Sequence, residues 1–96
     1  MRIVQMKKQI HAFYAGHVQG VGFRVTAEET AKHYGVVGWV RNLRDGRVEL
    51  KAEAEEEVLR QFLGAIRTGP MCKFIHLAEV TWTASTKAFD EFEIRY

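Results

Sequence analysis

A glycine-rich stretch between a strand-like run and a helix-like run is the feature that most constrains the fold of this chain. Residues 9–15 form a short apolar and aromatic run of strand length. Farther along, apolar side chains recur at steps of four, four and three, at Phe23, Ala27, Ala31 and Tyr34. That spacing predicts a helix over about 24–34, ended by Gly35. Between the two elements lie Gly16, Gly20 and Gly22, so the sequence predicts a strand, a glycine-rich turn and a helix in direct succession.

Such a turn is suited to binding an anion. Glycine has no Cβ, so main-chain N–H groups can turn inward and approach a ligand closely. The start of the helix adds unpaired N–H groups and the positive end of its dipole. Arg24 stands at that start, where a cation is mildly unfavourable unless an anion is bound beside it. Its planar guanidinium matches two phosphate oxygens. The alternative interpretation is a tight turn beside a surface arginine.

The spacing of the glycines leaves the identity of the anion open. Gly16, Gly20 and Gly22 do not fit the G-x-G-x-x-G pattern of dinucleotide sites, and the Gly-Lys-Ser/Thr ending of a Walker A loop is missing. The spacing alone is compatible with any small phosphorylated or carboxylate ligand.

Length and charge describe one ordinary small domain. With 96 residues the chain can build a single core, and we expect residues 1–7 to be a lead-in and 8–96 to be the domain. Lys and Arg number 14 against 12 acidic residues, a formal net charge of +2. This balance gives no support to a nucleic-acid or membrane partner, and we expect a monomer.

The remaining sequence signals concern location and metal binding. The start of the chain lacks the apolar segment of a signal peptide, and no apolar run approaches the length of a membrane span. The single cysteine, Cys72, allows no internal disulfide, and we expect a cytoplasmic protein. His11, His33 and His76 have no metal-like spacing, and we expect neither a metal nor another cofactor.

The rest of the chain alternates between strand and helix patterns. A strand over 36–42 is followed by an Asp-Gly turn. Apolar and charged residues then alternate over 47–54, which predicts a strand with one face in the core and the other exposed to solvent. A helix opens at 55–57 and ends at Gly69-Pro70. A strand over 74–83 changes its apolar phase, which predicts a bulge, and 92–96 forms a closing strand. The order predicts an α+β, ferredoxin-like βαββαβ sandwich, with an antiparallel sheet and two helices on one face.

Two long motifs in this order give the chain a family resemblance. Residues 16–24, GHVQGVGFR, resemble the phosphate-loop signature of the acylphosphatases, and residues 38–43, GWVRNL, with 45–48, DGRV, resemble the second signature of that family. Phe62-Leu63, Gly69-Pro70 and the closing 92–96 add supporting matches. The resemblance covers about residues 9–96.

The resemblance implies an activity and a set of site residues. Acylphosphatases hydrolyse the carboxyl–phosphate bond of a small acyl phosphate to a carboxylate and inorganic phosphate, without a metal or a covalent intermediate. The family pattern implies that main-chain amides hold the phosphate, at Gln19, Gly20, Val21, Gly22, Phe23 and Arg24. It also implies that the Arg24 side chain grips the phosphate and that Asn42 holds the attacking water. One departure is Ala27, where many members carry a hydroxyl residue, and another is Ala54 after Glu53.

The chemistry fits these residues. The leaving carboxylate has a conjugate acid with a pKa of roughly 4, so it departs at neutral pH without a proton donor. Phosphoryl transfer through a loose transition state mainly requires positioning and charge stabilisation, which the amides and Arg24 supply. Asn42 is too weak a base to take the proton from water, and a phosphate oxygen of the substrate is the nearest acceptor.

Two other interpretations remain at this stage. The first is a ferredoxin-like binding module for RNA or a small anionic metabolite, although the chain lacks an aromatic ribonucleoprotein motif. The second is the acylphosphatase-like domain of larger carbamoyl-transfer maturation proteins, which carry additional domains and zinc-finger cysteines. The sequence does not identify the physiological acyl group.

Overall fold

A computed structural model describes residues 6–96 and shows five strands and two long helices. In chain order they are β1 (Lys7–Gly16), α1 (Phe23–Tyr34), β2 (Val37–Asn42), β3 (Val48–Glu55), α2 (Glu56–Thr68), β4 (Ile75–Ala84) and β5 (Phe92–Arg95), with a short 3₁₀ turn at Cys72–Phe74 before β4. The predicted ferredoxin-like order is confirmed. Of the expected lead-in, residues 1–5 lie outside the described part of the chain, and β1 begins at Lys7.

The strands form one open sheet in the order β4-β1-β3-β2-β5. The pairs β4–β1, β1–β3 and β3–β2 are antiparallel, as predicted. Strand β5 runs parallel to β2, so the sheet is mixed rather than wholly antiparallel. The connection 85–91 has to cross four strand spacings, roughly 19 Å, to pass from one edge of the sheet to the other. The chain makes this crossing at one end of the sheet, so β5 runs opposite to β4 and therefore in the direction of β2.

Both helices pack on one face of the sheet. Helix α1 lies against β2 and β5, and α2 lies against β3 and β1. Alternate strand residues and the inner helix faces form a single core, which includes Ile10, Leu50, Leu59, Phe62, Ala27 and Val40. No helix packs closely over β4, the opposite edge strand, and that leaves a groove between α2 and β4.

One expectation for β3 is wrong. The face of β3 opposite the core was predicted to be wet, yet Glu49 and Glu53 are 7% and 3% exposed. Strand β3 is central, so neighbouring strands flank both carboxylates. The Glu49 carboxylate lies 2.6 Å from the His11 ring and 2.8 Å from Arg41 Nε, and Glu53 is surrounded by hydrogen-bond donors.

The predicted bulge is present at the start of β4. Ala15 of β1 is opposite Leu77, but the next residue, Gly16, is opposite Ile75, so one extra residue of β4 lies between the pairs. The shift turns Ile75 and Val80 towards the core while Leu77 stays 54% exposed. The bulge is thus the physical cause of the change of apolar phase along this strand.

Candidate active site

The main-chain amides at the end of the loop between β1 and α1, and at the start of α1, are unused within residues 6–96. Gly20 and Gly22 have φ angles of 78° and 81°, left-handed values that disfavour residues with a Cβ. Gly22 is the N-cap of α1 and offers no side-chain cap, and the first amide that closes a turn of this helix is Thr26, which donates to Gly22 O at 3.0 Å. Within residues 6–96 no hydrogen bond is donated by the amides of residues 19–24. Six successive donors are therefore available to an anion.

Arg24 and Asn42 line the same pocket. The pocket holds about 100 Å³ and lies between the glycine-rich loop, the start of α1, the end of β2 and the end of β5. Val18, Val25, Ile94 and Tyr96 complete its walls. Arg24 and Asn42 are 18 positions apart in the sequence, and they line one pocket because α1 packs beside β2 and β5.

The Arg24 guanidinium is not neutralised by a carboxylate. Its central carbon lies 5.1 Å from the centre of the Tyr96 ring, within the range of a cation–π contact. Among residues 6–96 it takes part in no ion pair. The stacked ring orients a guanidinium whose N–H groups remain available for an anionic ligand.

The Asn42 carboxamide contains an unusual oxygen. Asn42 Oδ1 is the only fully buried side-chain nitrogen or oxygen atom among residues 6–96 that has no hydrogen-bond partner. Leaving a buried acceptor unsatisfied costs about 1–3 kcal/mol. Asn42 lines the pocket that also contains Arg24, so a molecule bound there is a candidate partner for this oxygen.

Gln19 connects the two parts of the site. Its side-chain amide nitrogen donates to Leu43 O at 2.6 Å and to Arg47 O at 3.0 Å, which links the loop to the turn that follows Asn42. The sequence predicted only a main-chain role for Gln19, and these side-chain hydrogen bonds were not predicted. The only available signal was an amide side chain in a loop otherwise made mostly of glycine and valine.

Ala27 and His17 lie outside the pocket. Ala27 is 1% exposed and belongs to the core under α1, so this position faces the sheet rather than the pocket. The His17 ring packs edge-on against His76 with the ring centres 5.5 Å apart, and His17 does not line the pocket.

Residues 6–96 contain no group of three or more His, Cys, Asp or Glu side chains arranged to hold a metal ion. None of the helices in this part of the chain has the length and apolarity needed to cross a bilayer.

Comparisons with known proteins identify the family. The sequence model of the acylphosphatase family matches residues 10–94. The chain belongs to the acylphosphatase family. It is 37% identical to an acylphosphatase of Salinibacter ruber, with 93% of this chain and 94% of the relative aligned, and 42% identical to an acylphosphatase of Methylococcus capsulatus, with 91% and 95% aligned.

A solved structure supports the same assignment. The crystal structure of acylphosphatase from Bacillus subtilis superposes with a TM-score of 0.86 at 36% identity, covering 93% of this chain and 99% of that one. The predicted family, fold and enzyme class of this acylphosphatase are confirmed, and an enzyme is favoured over a binding module.

Proposed function

We propose that this acylphosphatase hydrolyses acyl phosphates by in-line attack of a water held by Asn42 on a phosphoryl group held by Arg24 and the loop amides. The observation that supports this division of roles is the buried, unpartnered Asn42 Oδ1, in the same pocket as a guanidinium that no carboxylate neutralises. A phosphoryl group needs donors and positive charge, whereas water needs an acceptor to orient it. The pocket is lined by residues of both kinds.

The phosphoryl group would be held mainly by the main chain. The amides of residues 19–24 have no other hydrogen-bond partner within the described chain, and they lie at the positive end of the α1 dipole. The Arg24 guanidinium adds a full charge and a planar pair of donors. These groups stabilise the equatorial oxygens, on which the negative charge of a loose transition state is concentrated.

The attacking water would be positioned rather than deprotonated by the protein. Asn42 Oδ1 accepts one hydrogen bond from the water and thereby aims a lone pair at phosphorus. The phosphorus–oxygen bond to the acyl group breaks, and the acyl group leaves as a carboxylate with both bonding electrons. The proton of the water passes to a phosphate oxygen, so the products are the carboxylate and inorganic phosphate.

The size of the pocket indicates which part of the substrate is recognised. The volume of about 100 Å³ is small, and we expect it to hold a phosphoryl group and a water but not a large acyl group. The acyl group would extend past Val25 and Tyr96, which are 51% and 98% exposed. We therefore expect several acyl phosphates to be hydrolysed. A metal-free reaction, a monomeric state and a cytoplasmic location stay predictions from the sequence.

Benzoyl phosphate hydrolysis in excess EDTA tests the proposal. The parent protein should release phosphate at full rate, and Arg24→Ala should lower kcat/KM by about a thousandfold and abolish competitive inhibition by inorganic phosphate. Arg44→Ala removes an exposed arginine from the neighbouring turn and should retain both properties. A folded Arg24→Ala protein with unchanged phosphate inhibition would contradict the role of the guanidinium.

A further inference from the structure

A second concave surface lies between α2 and the uncovered strand β4. This α2–β4 groove has a volume of about 520 Å³, within the range of small-molecule binding sites. Its apolar walls are formed by Leu63, Gly64, Ile75, Ala78, Val80 and Trp82. It shares no lining residue with the pocket that contains Arg24 and Asn42, so its occupation is not explained by the hydrolysis reaction.

The floor of the groove contains a buried hydroxyl without a protein partner. Tyr14 is 3% exposed and lines the groove, yet its hydroxyl makes no hydrogen bond to any residue in 6–96. Asn42 Oδ1 is the only fully enclosed unpartnered side-chain oxygen in that part of the chain, so the Tyr14 oxygen retains contact with the open groove. Burial raises the pKa of Tyr14 to about 12, and the group therefore remains a donor at neutral pH.

Two arginines on α2 mark the ends of the groove. Arg60 already pairs with Glu56 at 3.1 Å and stacks on the Trp82 ring at 5.0 Å. Arg67 lies about 10 Å farther along the helix and takes part in no ion pair among residues 6–96. The groove therefore has one guanidinium without a counter-charge, which suits a ligand with a single negative charge.

The polar groups that have no partner within residues 6–96 are concentrated at one end, because Arg60 at the other end already pairs with Glu56. Tyr14 pairs with Ala78 across the sheet, whereas Trp82 pairs with Ile10 farther from the bulge. The aromatic end of the groove is therefore separated from the end with the hydroxyl and the free guanidinium. This polarity favours an elongated ligand with an apolar body and a charged head.

We propose that the α2–β4 groove binds a small amphipathic monocarboxylate. Its apolar body would lie against Leu63, Val80 and Trp82. Its carboxylate would accept hydrogen bonds from the Tyr14 hydroxyl and from Arg67. Bringing apolar surface out of water supplies affinity, and the two donors supply the preference for a carboxylate over a neutral amphiphile.

Titration with sodium octanoate, followed by two-dimensional NMR of the uniformly labelled protein, tests the proposal. The Trp82 indole N–H and the amides of Leu63, Gly64 and Val80 should shift in a saturable way, with a dissociation constant of about 1 mM or lower. Trp39 lies on the opposite face of the sheet, beside Arg41 and Arg95, and its indole signal should stay in place. The uncharged analogue 1-octanol should bind at least threefold more weakly.

Three variants separate the proposed contacts from general charge effects. Tyr14→Phe keeps the ring and should weaken octanoate binding about fivefold, and Arg67→Gln should weaken it about threefold. Lys32→Gln removes an equivalent positive charge from the exposed surface of α1 and should leave the affinity unchanged.

Specific results would overturn the proposal. It fails if octanoate produces no saturable shift in the groove, or if 1-octanol binds as tightly. It also fails if Tyr14→Phe and Arg67→Gln both bind octanoate as the parent does. Arg67 is exposed and the Tyr14 hydroxyl has no protein partner, so neither substitution is expected to unfold the chain.

Discussion

Buried polar side chains at the two ends of the central strands differ in how many hydrogen-bond partners they have. At one end, Asn42 of β2 has a fully buried oxygen with no hydrogen-bond partner. At the other end, the Glu53 carboxylate of β3 accepts five hydrogen bonds: from Gln9 Nε2, Ser85 Oγ, Thr86 N, Thr86 Oγ1 and Lys87 N, at 2.7 to 3.1 Å. Glu53 holds the start of the connection 85–91 against the sheet, whereas Asn42 lines the pocket that also contains Arg24.

We interpret this difference as one between a structural group and a functional one. A buried carboxylate surrounded by donors stabilises the fold, and its removal should lower stability without affecting catalysis. A buried acceptor without a partner lowers stability in the free protein, and such a cost is expected where a ligand or water completes the hydrogen bond. We therefore expect substitutions at the two ends to affect different measurements.

Asn42→Ala should have the largest effect, and the effect should be on rate. Loss of the water-positioning acceptor should lower kcat for benzoyl phosphate by about a hundredfold to a thousandfold, while the inhibition constant for inorganic phosphate stays within about twofold of the parent value. The midpoint of thermal unfolding should be unchanged or slightly higher, because an unsatisfied buried acceptor has been removed. Equal losses in phosphate affinity and rate would contradict the proposed role.

Glu53→Gln should show the converse pattern. Replacing the Glu53 carboxylate with an amide places an N–H₂ group among hydrogen-bond donors and removes charge-assisted hydrogen bonds. This change should lower the free energy of unfolding, measured by urea titration, by about 3 kcal/mol. The kcat value should stay close to that of the parent. Glu57→Gln, at an exposed position in the first turn of α2, should change neither quantity. A large loss of kcat in Glu53→Gln with unchanged stability would contradict the structural role proposed for Glu53.

Acid should weaken the Glu53 end of the sheet. Burial raises the pKa of Glu53, but the hydrogen bonds from Thr86, Ser85 and Gln9 outweigh burial and lower the pKa from 4.5 to about 2. Because the folded value lies below the unfolded one, the carboxylate stabilises the fold above pH 4.5, and this contribution is lost as the pH falls from 4.5 to 2.

Urea titrations of the parent and Glu53→Gln between pH 7 and pH 2 measure this effect. The two proteins should differ most at pH 7 and converge towards pH 2, and the difference at pH 7 sets the upper limit of the change. The pKa of Glu49 is also lowered, where hydrogen bonds from His11 and Arg41 outweigh burial, but this residue is present in both proteins. A difference in stability that is independent of pH would show that the Glu53 charge is not responsible.

Gln19→Ala should have the smallest effect on rate and stability. It tests whether the contacts beside Asn42 influence the rate of hydrolysis. Gln19 is a positioning residue that holds the loop against the turn after Asn42 through two neutral hydrogen bonds. Its loss should lower kcat about fivefold and the free energy of unfolding by about 1 kcal/mol. Gln61→Ala, at an exposed position of α2, serves as the control. A loss of stability with no change in kcat would show that the link does not position Asn42.

Local patterns predicted the elements that carry the site. The glycine spacing and the helical period after it placed Arg24 at a helix start, and the structure has α1 beginning one residue earlier, at Phe23. The alternation around Asn42 placed it at a strand end, where β2 ends. Such features depend on neighbours within a few positions, so the sequence contains the required information.

Long-range contacts were not predictable in the same way. Alternation along β3 could not distinguish Glu53 from an exposed glutamate, because its donors come from Gln9 and from residues 85–87, more than 30 positions away. The Gln19 contacts cross 24 and 28 positions. The parallel direction of β5 followed from the path of a connection whose residues show no strand or helix pattern.

The amino-acid sequence by itself determined the order of the elements and the residues placed at their ends, because local backbone preferences and side-chain periods are encoded over short distances. The family was indicated by the resemblance of two motifs. Tertiary structure alone decided that Asn42 lines the same pocket as Arg24, that its Oδ1 has no partner within residues 6–96, and that Glu53 is surrounded by donors. Whether a polar group is satisfied depends on atoms that distant parts of the chain bring to it, and only the packed sheet and helices determine those atoms.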